Sequence, residues 1–243
     1  MTSLGVGEAH VWTIRLDASE RALTRFLALL SPDEQARRSA LRGDRLQRRY
    51  TVLHGALRLL LEGYTGRPAA AIVLTRGRDG KPQLEGDLPV HFNISDCGEV
   101  GMYAFADGPV GIDVEEIRPV PDHRLEPLAR LAFCAAETAE LQSLAPAQRL
   151  GAFYRGWTRK EAYSKAVGAG LAAALARVHV SLAPDEARIL GFPEGGDSPG
   201  RWTLHHLEPG AGYVGALAYR GAPRSLRLRP ACAETPLARP AHV

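Results

Sequence analysis

Two stretches of this chain run through the same order of elements, and that repetition constrains the fold more than any other feature. The first places Leu46, Tyr50, Leu53, Leu57, Leu60 and Tyr64 on one helical stripe and closes at Gly63 and Gly66. It continues with short apolar runs at 71–75, 91–95 and 100–106. The second has a helix over 147–167, closes at Gly168 and Gly170, and continues with runs at 178–182, 202–207 and 213–219. Tyr213-Val214-Gly215-Ala216-Leu217-Ala218-Tyr219 echoes Val100-Gly101-Met102-Tyr103-Ala104-Phe105-Ala106. The pattern predicts an α+β fold of two similar halves related by a pseudo-two-fold axis. Each half is a small antiparallel sheet with a long helix, and the functional site lies between them. The halves are expected at 1–110 and 111–225, with a flexible tail over 226–243. A further strand is read over 9–17, and Ser31-Pro32-Asp33-Glu34 reads as a helix start, with a Ser cap, an early Pro and a Glu three residues on.

Composition removes several classes. With 45% hydrophobic and 23% charged residues the chain is an ordinary globular one. No apolar run approaches the roughly 20 residues needed to span a bilayer, and the first residues lack a signal-peptide layout, so a cytoplasmic protein without membrane contact is expected. Three cysteines, Cys97, Cys134 and Cys232, without CxxC spacing argue against a disulfide framework and a zinc site. Among 30 Lys plus Arg only Lys81, Lys160 and Lys165 are lysine, and Asn93 is the sole asparagine. In an arginine-rich background lysine is expected where a compact ammonium is needed, such as a tight phosphate site.

Three segments carry chemistry. Gly111-Ile112-Asp113-Val114-Glu115 reads as a strand whose alternation turns both carboxylates to one face, a donor pair suited to Mg²⁺. In Trp157-Thr158-Arg159-Lys160-Glu161-Ala162-Tyr163-Ser164-Lys165, helical spacing puts Trp157, Lys160, Glu161, Ser164 and Lys165 on one broad face. Glu161 and Lys165 also have the order of a surface i,i+4 ion pair, and Trp157 that of a core anchor. Gly80-Lys81-Pro82 sets a lysine after a turn glycine, within reach of an anion, but lacks the spacing of a Walker loop. Residues 210–215 match GxGxxG yet lead into a strand, so they are not a dinucleotide site.

His91-Phe92-Asn93-Ile94-Ser95, then Val110 through Glu115, then Phe153-Tyr154 through Lys165, in this order and at these separations, resemble the 4′-phosphopantetheinyl transferases, in particular the long, surfactin-synthetase-activating type. The resemblance covers roughly 37–182 and takes in all three lysines. It implies transfer of the phosphopantetheine arm of coenzyme A to a serine of an apo acyl or peptidyl carrier protein, Mg²⁺-dependent, by a monomer. It further implies that Asp113, Glu115 and Glu161 hold Mg²⁺ and that Lys165, with Lys160 beside it, contacts the phosphates. Lys81, Ser95 and Arg49 correspond to CoA-contacting positions, and Arg37 is the candidate for the 3′-phosphate. Glu137 matches a carboxylate near the site, and Glu161 or a metal-bound water is the expected base. The chain departs from the family at Asp96, where a histidine usually touches the pyrophosphate; an acid there either opposes coenzyme A binding or serves the metal, directly or through water, and the second is the expectation. A catalytically silent CoA- or carrier-binding protein and an arginine-rich nucleic-acid-binding module are the other classes, and both forbid transfer. The nucleic-acid reading suffers from sparse aromatic interleaving around the arginines.

Overall fold

A computed structural model describes residues 2–233 apart from 78–79, 87, 89, 169–174 and 176. Arg78 and Asp79, just before the turn glycine Gly80, together with Gly170 and 234–243 of the expected tail, lie outside the described residues. The chain order is β1 (Glu8–Arg15), α1 (Glu20–Leu27), α2 (Pro32–Ala40), α3 (Asp44–Thr65), β2 (Leu74–Arg76), β3 (Pro82–Leu84), β4 (His91–Cys97), β5 (Val100–Ala106) and β6 (Val110–Glu116). It continues with α4 (Asp122–Ala132), α5 (Ala135–Ser143), α6 (Pro146–Val167), β7 (His179–Val180), β8 (Ile189–Gly191), β9 (Trp202–Leu207), β10 (Tyr213–Arg220) and β11 (Ser225–Ala231).

Local chemistry sets these boundaries. Ser31 and Glu34 form a reciprocal capping box that starts α2. The two long helices, α3 and α6, each end on a left-handed glycine, Gly66 at φ 68° and Gly168 at φ 70°. Each also carries a buried arginine that collects carbonyls from the chain that follows. Arg58 holds Ala69 O and Ile72 O and pairs with Glu34 Oε2 at 2.6 Å, and Arg159 holds Ser181 O and Ala183 O.

The strands form a four-stranded sheet, β11-β1-β5-β4, and a three-stranded sheet, β6-β10-β9. One hydrophobic cluster, including Val11, Met102, Ala104, Ile112, Val114 and Leu217, fills the space between the two sheets. The outer face of the larger sheet, with Ile14, Tyr103 and Phe105, packs on α1 and α3 through Phe26, Leu57 and Leu61. The outer face of the smaller sheet, with Ala216 and Ala218, packs on Ala162 and Ala166 of α6. The layers therefore run helix, sheet, sheet, helix, with removal of apolar surface from water as the main stabilising term at about 25 cal/mol per Å². Among the described residues no helix is long and apolar enough to cross a membrane.

Three readings change. The run at 71–75 begins as a short 3₁₀ turn, Ala69–Ala71, and the strand starts only at Leu74. The run at 178–182 shortens to a two-residue pairing of β7 with β8. The expected tail contains a strand, because β11 pairs in parallel with β1 from Ser225 to Ala231. Arginines and Pro230 break its apolar alternation, as suits the edge of a sheet.

Candidate functional site

The site grows from the seam where β4, an edge strand of one sheet, faces β6, an edge strand of the other. No backbone ladder joins them there; β4 offers side chains instead. Asn93 Oδ1 accepts the Ile112 N–H at 2.8 Å, Ser95 Oγ donates to Asp113 Oδ1 at 2.9 Å, and Cys97 Sγ contacts Glu115 Oε2 at 3.2 Å. Asn93, Ser95 and Cys97 share one face of β4 by strand alternation.

On the far side of β6, α6 comes unusually close. A Cβ on Gly111 would lie 2.0 Å from Ala162 O and 2.5 Å from Ala166 N, so only glycine permits this approach. The close packing brings the Trp157, Glu161, Lys165 stripe of α6, spaced i,i+4, over Asp113 and Glu115. Lys165 Nζ donates to Asp113 Oδ1 at 2.7 Å and to Ser95 Oγ at 3.0 Å. Trp157 Nε1 donates to Glu115 Oε1 at 3.1 Å.

Electrostatically the pocket has more anion than it neutralises. Burial, with Asp113 adding to it, pushes the Glu161 carboxyl up to about 7, while Lys165 opposes the rise. Glu115 is also raised, first by burial and then by Asp113, against the hydrogen bonds from Cys97 and Trp157. Asp113 is buried, and its Oδ2 has no hydrogen-bond partner among the described residues. Three carboxylates in mutual repulsion, one with an orphaned oxygen, are the oxygen-only donor set that a hard divalent cation such as Mg²⁺ fits. Among the described residues no three acidic, histidine or cysteine side chains already stand as a metal cage. Lys165 occupies Asp113 Oδ1, and Cys97 and Trp157 hold both oxygens of Glu115.

The structure thus brings Asp113, Glu115, Glu161, Lys165 and Ser95 together, and it places the other expected site residues elsewhere. Lys160 and Glu137 form a separate, fully buried pair at 2.6 Å. Glu137 also accepts the Cys134 and Val180 N–H groups, and Lys160 donates to Leu175 O and lies over the Phe133 ring. The placement sets Lys160, expected beside the phosphates, and Glu137, expected near the site, apart from Asp113, Glu115 and Glu161. Lys160 is five residues from Lys165, about 140° around the helix, and points toward α5 rather than β6.

Lys81 Nζ donates to Val110 O at 2.8 Å and Lys165 O at 2.9 Å, tying β6 to the last turn of α6. Arg49 donates to Asp96 Oδ2 at 2.6 Å. Asp96 lies on the face of β4 opposite Ser95, turned to α3, so it is not brought to the carboxylates it was expected to support. Arg37 is exposed on α2, where its charge reaches Tyr50 and His54. Cys97 and the role of Asn93 escaped the sequence reading. The signal was there in the alternation Asn93, Ser95, Cys97 within a strand preceding the Asp113 strand.

Comparison with known proteins adds an independent line. Residues 109–218 match the family model of the 4′-phosphopantetheinyl transferase superfamily. The 4′-phosphopantetheinyl transferase HetI of Nostoc is 35% identical over 219 residues, 88% of this chain and 88% of its own length. The 4′-phosphopantetheinyl transferase AcpT of Salmonella typhimurium is 41% identical over 93 residues, 38% of this chain and 47% of its own. The 4′-phosphopantetheinyl transferase psf-1 of Bacillus pumilus is 34% identical over 128 residues, 52% of this chain and 53% of its own.

Proposed function

This chain belongs to the 4′-phosphopantetheinyl transferase superfamily, and from that premise we propose that it moves the phosphopantetheine arm of coenzyme A onto a serine hydroxyl of an apo acyl or peptidyl carrier protein. The observation that carries this reading is the convergence of Asp113, Glu115 and Glu161 with Lys165 and Ser95 at one seam. Similarity extends over more of the chain for HetI than for the Bacillus pumilus enzyme, so the assignment is to the superfamily rather than to the surfactin-activating type.

In this reading the serine oxygen bonds to the phosphorus that carries the pantetheine arm. The bond from that phosphorus to the bridging oxygen breaks, and adenosine 3′,5′-bisphosphate leaves with the electron pair. Asp113, Glu115 and Glu161 would hold Mg²⁺, which when bound supplies positive charge against the pyrophosphate. Lys165, fixed by Ser95 and Asp113, presents a fixed ammonium to the phosphate oxygens as charge develops on them. Glu161, or a water on the bound cation, would take the serine proton. The two-fold relation of the halves, a monomeric state, and Arg37 at the 3′-phosphate complete the proposal.

The nucleic-acid alternative loses its footing in the pairing of the arginines. Arg45, Arg48 and Arg49 meet Glu99, Glu20 and Asp96, so three of the six arginines over 37–49 already carry an internal anion. The test is incubation with CoA, Mg²⁺ and an apo-carrier protein, followed by intact mass. A gain of one phosphopantetheine group on the carrier is expected, and an unchanged carrier mass for several carrier classes would overturn the reading.

A further inference from the structure

Asp96 sits beside Ser95 in β4 but projects to the other face of the strand, toward α3. There Arg49 Nη2 donates to its Oδ2 at 2.6 Å, with the two side chains 19% and 34% exposed at the rim of the seam. The contact uses one nitrogen of the guanidinium; Arg49 Nε is buried and has no hydrogen-bond partner among the described residues. The pair is thus not the two-pronged fork that fixes an arginine most firmly on a carboxylate. On the opposite face of the same edge strand, Ser95 Oγ receives Lys165. Lys165 and Arg49 therefore flank β4 on its two faces, and each already carries an internal anion, Asp113 for Lys165 and Asp96 for Arg49.

We propose that Asp96 is an internal counter-anion that competes with the substrate's phosphates for Arg49, and so sets how tightly this site holds its nucleotide substrate. The inference rests on the reading of the seam as a coenzyme A site. Binding substitutes a phosphate oxygen for the Asp96 carboxylate on Arg49, or brings phosphate and carboxylate together around one guanidinium. Either way, a negative charge a few ångströms from the incoming phosphate weakens association. When the nucleotide product departs, Asp96 takes Arg49 back and assists release. At partly screened separations of about 5 Å, one such charge changes affinity by about tenfold.

Isothermal titration of the full chain with CoA, at fixed ionic strength, tests this on the wild type, Asp96→Asn, Arg49→Gln and the double variant. Asp96→Asn is close to isosteric, and circular dichroism with thermal unfolding confirms that each variant folds. The expected result is CoA affinity raised about tenfold in Asp96→Asn, with a steeper loss of affinity as salt is added. In the Arg49→Gln background the gain from the Asp96 substitution should be smaller, since only the direct repulsion of the phosphate by Asp96 is left to remove. Unchanged or weaker CoA binding by Asp96→Asn overturns the inference, because Asp96 would then be indifferent or would be holding Arg49 in its binding pose. Failure of every variant, wild type included, to bind CoA would instead remove the reading on which the inference rests, and the inference with it.

Discussion

Replacing Glu137 separates a structural carboxylate from a catalytic one. Glu137 and Lys160 are both fully buried, 2.6 Å apart, and Glu137 additionally accepts two backbone N–H groups, from Cys134 at 2.7 Å and Val180 at 2.8 Å. These contacts join the start of α5 to α6 and β7. Glu137→Ala leaves the Lys160 ammonium in the interior with, among the described residues, the Leu175 carbonyl and the Phe133 ring, and it orphans two N–H groups. Breaking a buried pair from one side costs about 3–5 kcal/mol. For a chain of this size each kcal/mol shifts the melting temperature by about 2–4 °C, so Glu137→Ala should melt about 6–20 °C lower. The assay is thermal and urea unfolding of the wild type, Glu137→Ala, Lys160→Met and the combined Glu137→Leu, Lys160→Met variant. The combined variant should recover much of the single-variant loss, since no charge remains uncompensated. A melting temperature within about 2 °C of wild type for Glu137→Ala, together with abolished transfer, would show that the carboxylate acts in the chemistry instead.

Asp113→Ala and Glu161→Ala should each lower transfer by about 10² to 10³-fold. Glu116→Ala should lower it by less than about threefold, because Glu116 alternates away from them and pairs with Arg118. Carrier mass against time distinguishes these, and equal losses in all three folded variants would remove the site assignment. Burial holds the His54 imidazole down at about 4, so the unfolded chain takes up its proton first. Its contribution is therefore intact above pH 6.5 and is lost as pH falls toward 4, by up to about 3 kcal/mol. Urea unfolding at pH 7 and pH 5 should show a smaller acid loss for His54→Phe than for wild type, and equal losses would contradict the sign. Gly111→Ala should destabilise by about 3 kcal/mol or more and cut transfer, since its methyl group would strike the α6 backbone; a thermal melt like that of wild type would refute the close approach.

These helices were legible because their signals are local: the Ser31–Glu34 box of α2, the apolar stripe of α3, and the glycines that end α3 and α6. The β4–β5–β6 succession was legible from short apolar runs at 91–95 and 100–106 and from the alternation of 111–115. What escaped was whatever depends on a neighbour distant in sequence. β11 exists because β1 offers a parallel edge, and no local pattern announces that across Arg227, Arg229 and Pro230. Lys160 was grouped with Glu161 and Lys165 because a broad helical face was allowed. Yet α6 is packed on more than one side, and adjacent positions on it meet different layers. Alternation in β4 turns Asp96 away from Ser95, a rule not applied when Asp96 was expected at the metal, and its partner Arg49 comes from a helix 47 residues away.

Manganese titration of the full chain with CoA present, followed by electron paramagnetic resonance, tests most directly whether Asp113, Glu115 and Glu161 form the cation-holding centre of this transferase. Mn²⁺ serves as the spectroscopic stand-in for Mg²⁺, since both take oxygen ligands. The expected result is one tightly held ion in the wild type, lost or strongly weakened in Asp113→Asn and Glu161→Gln and kept in Glu116→Gln. Equal manganese binding by all four proteins would contradict the assignment of the three carboxylates.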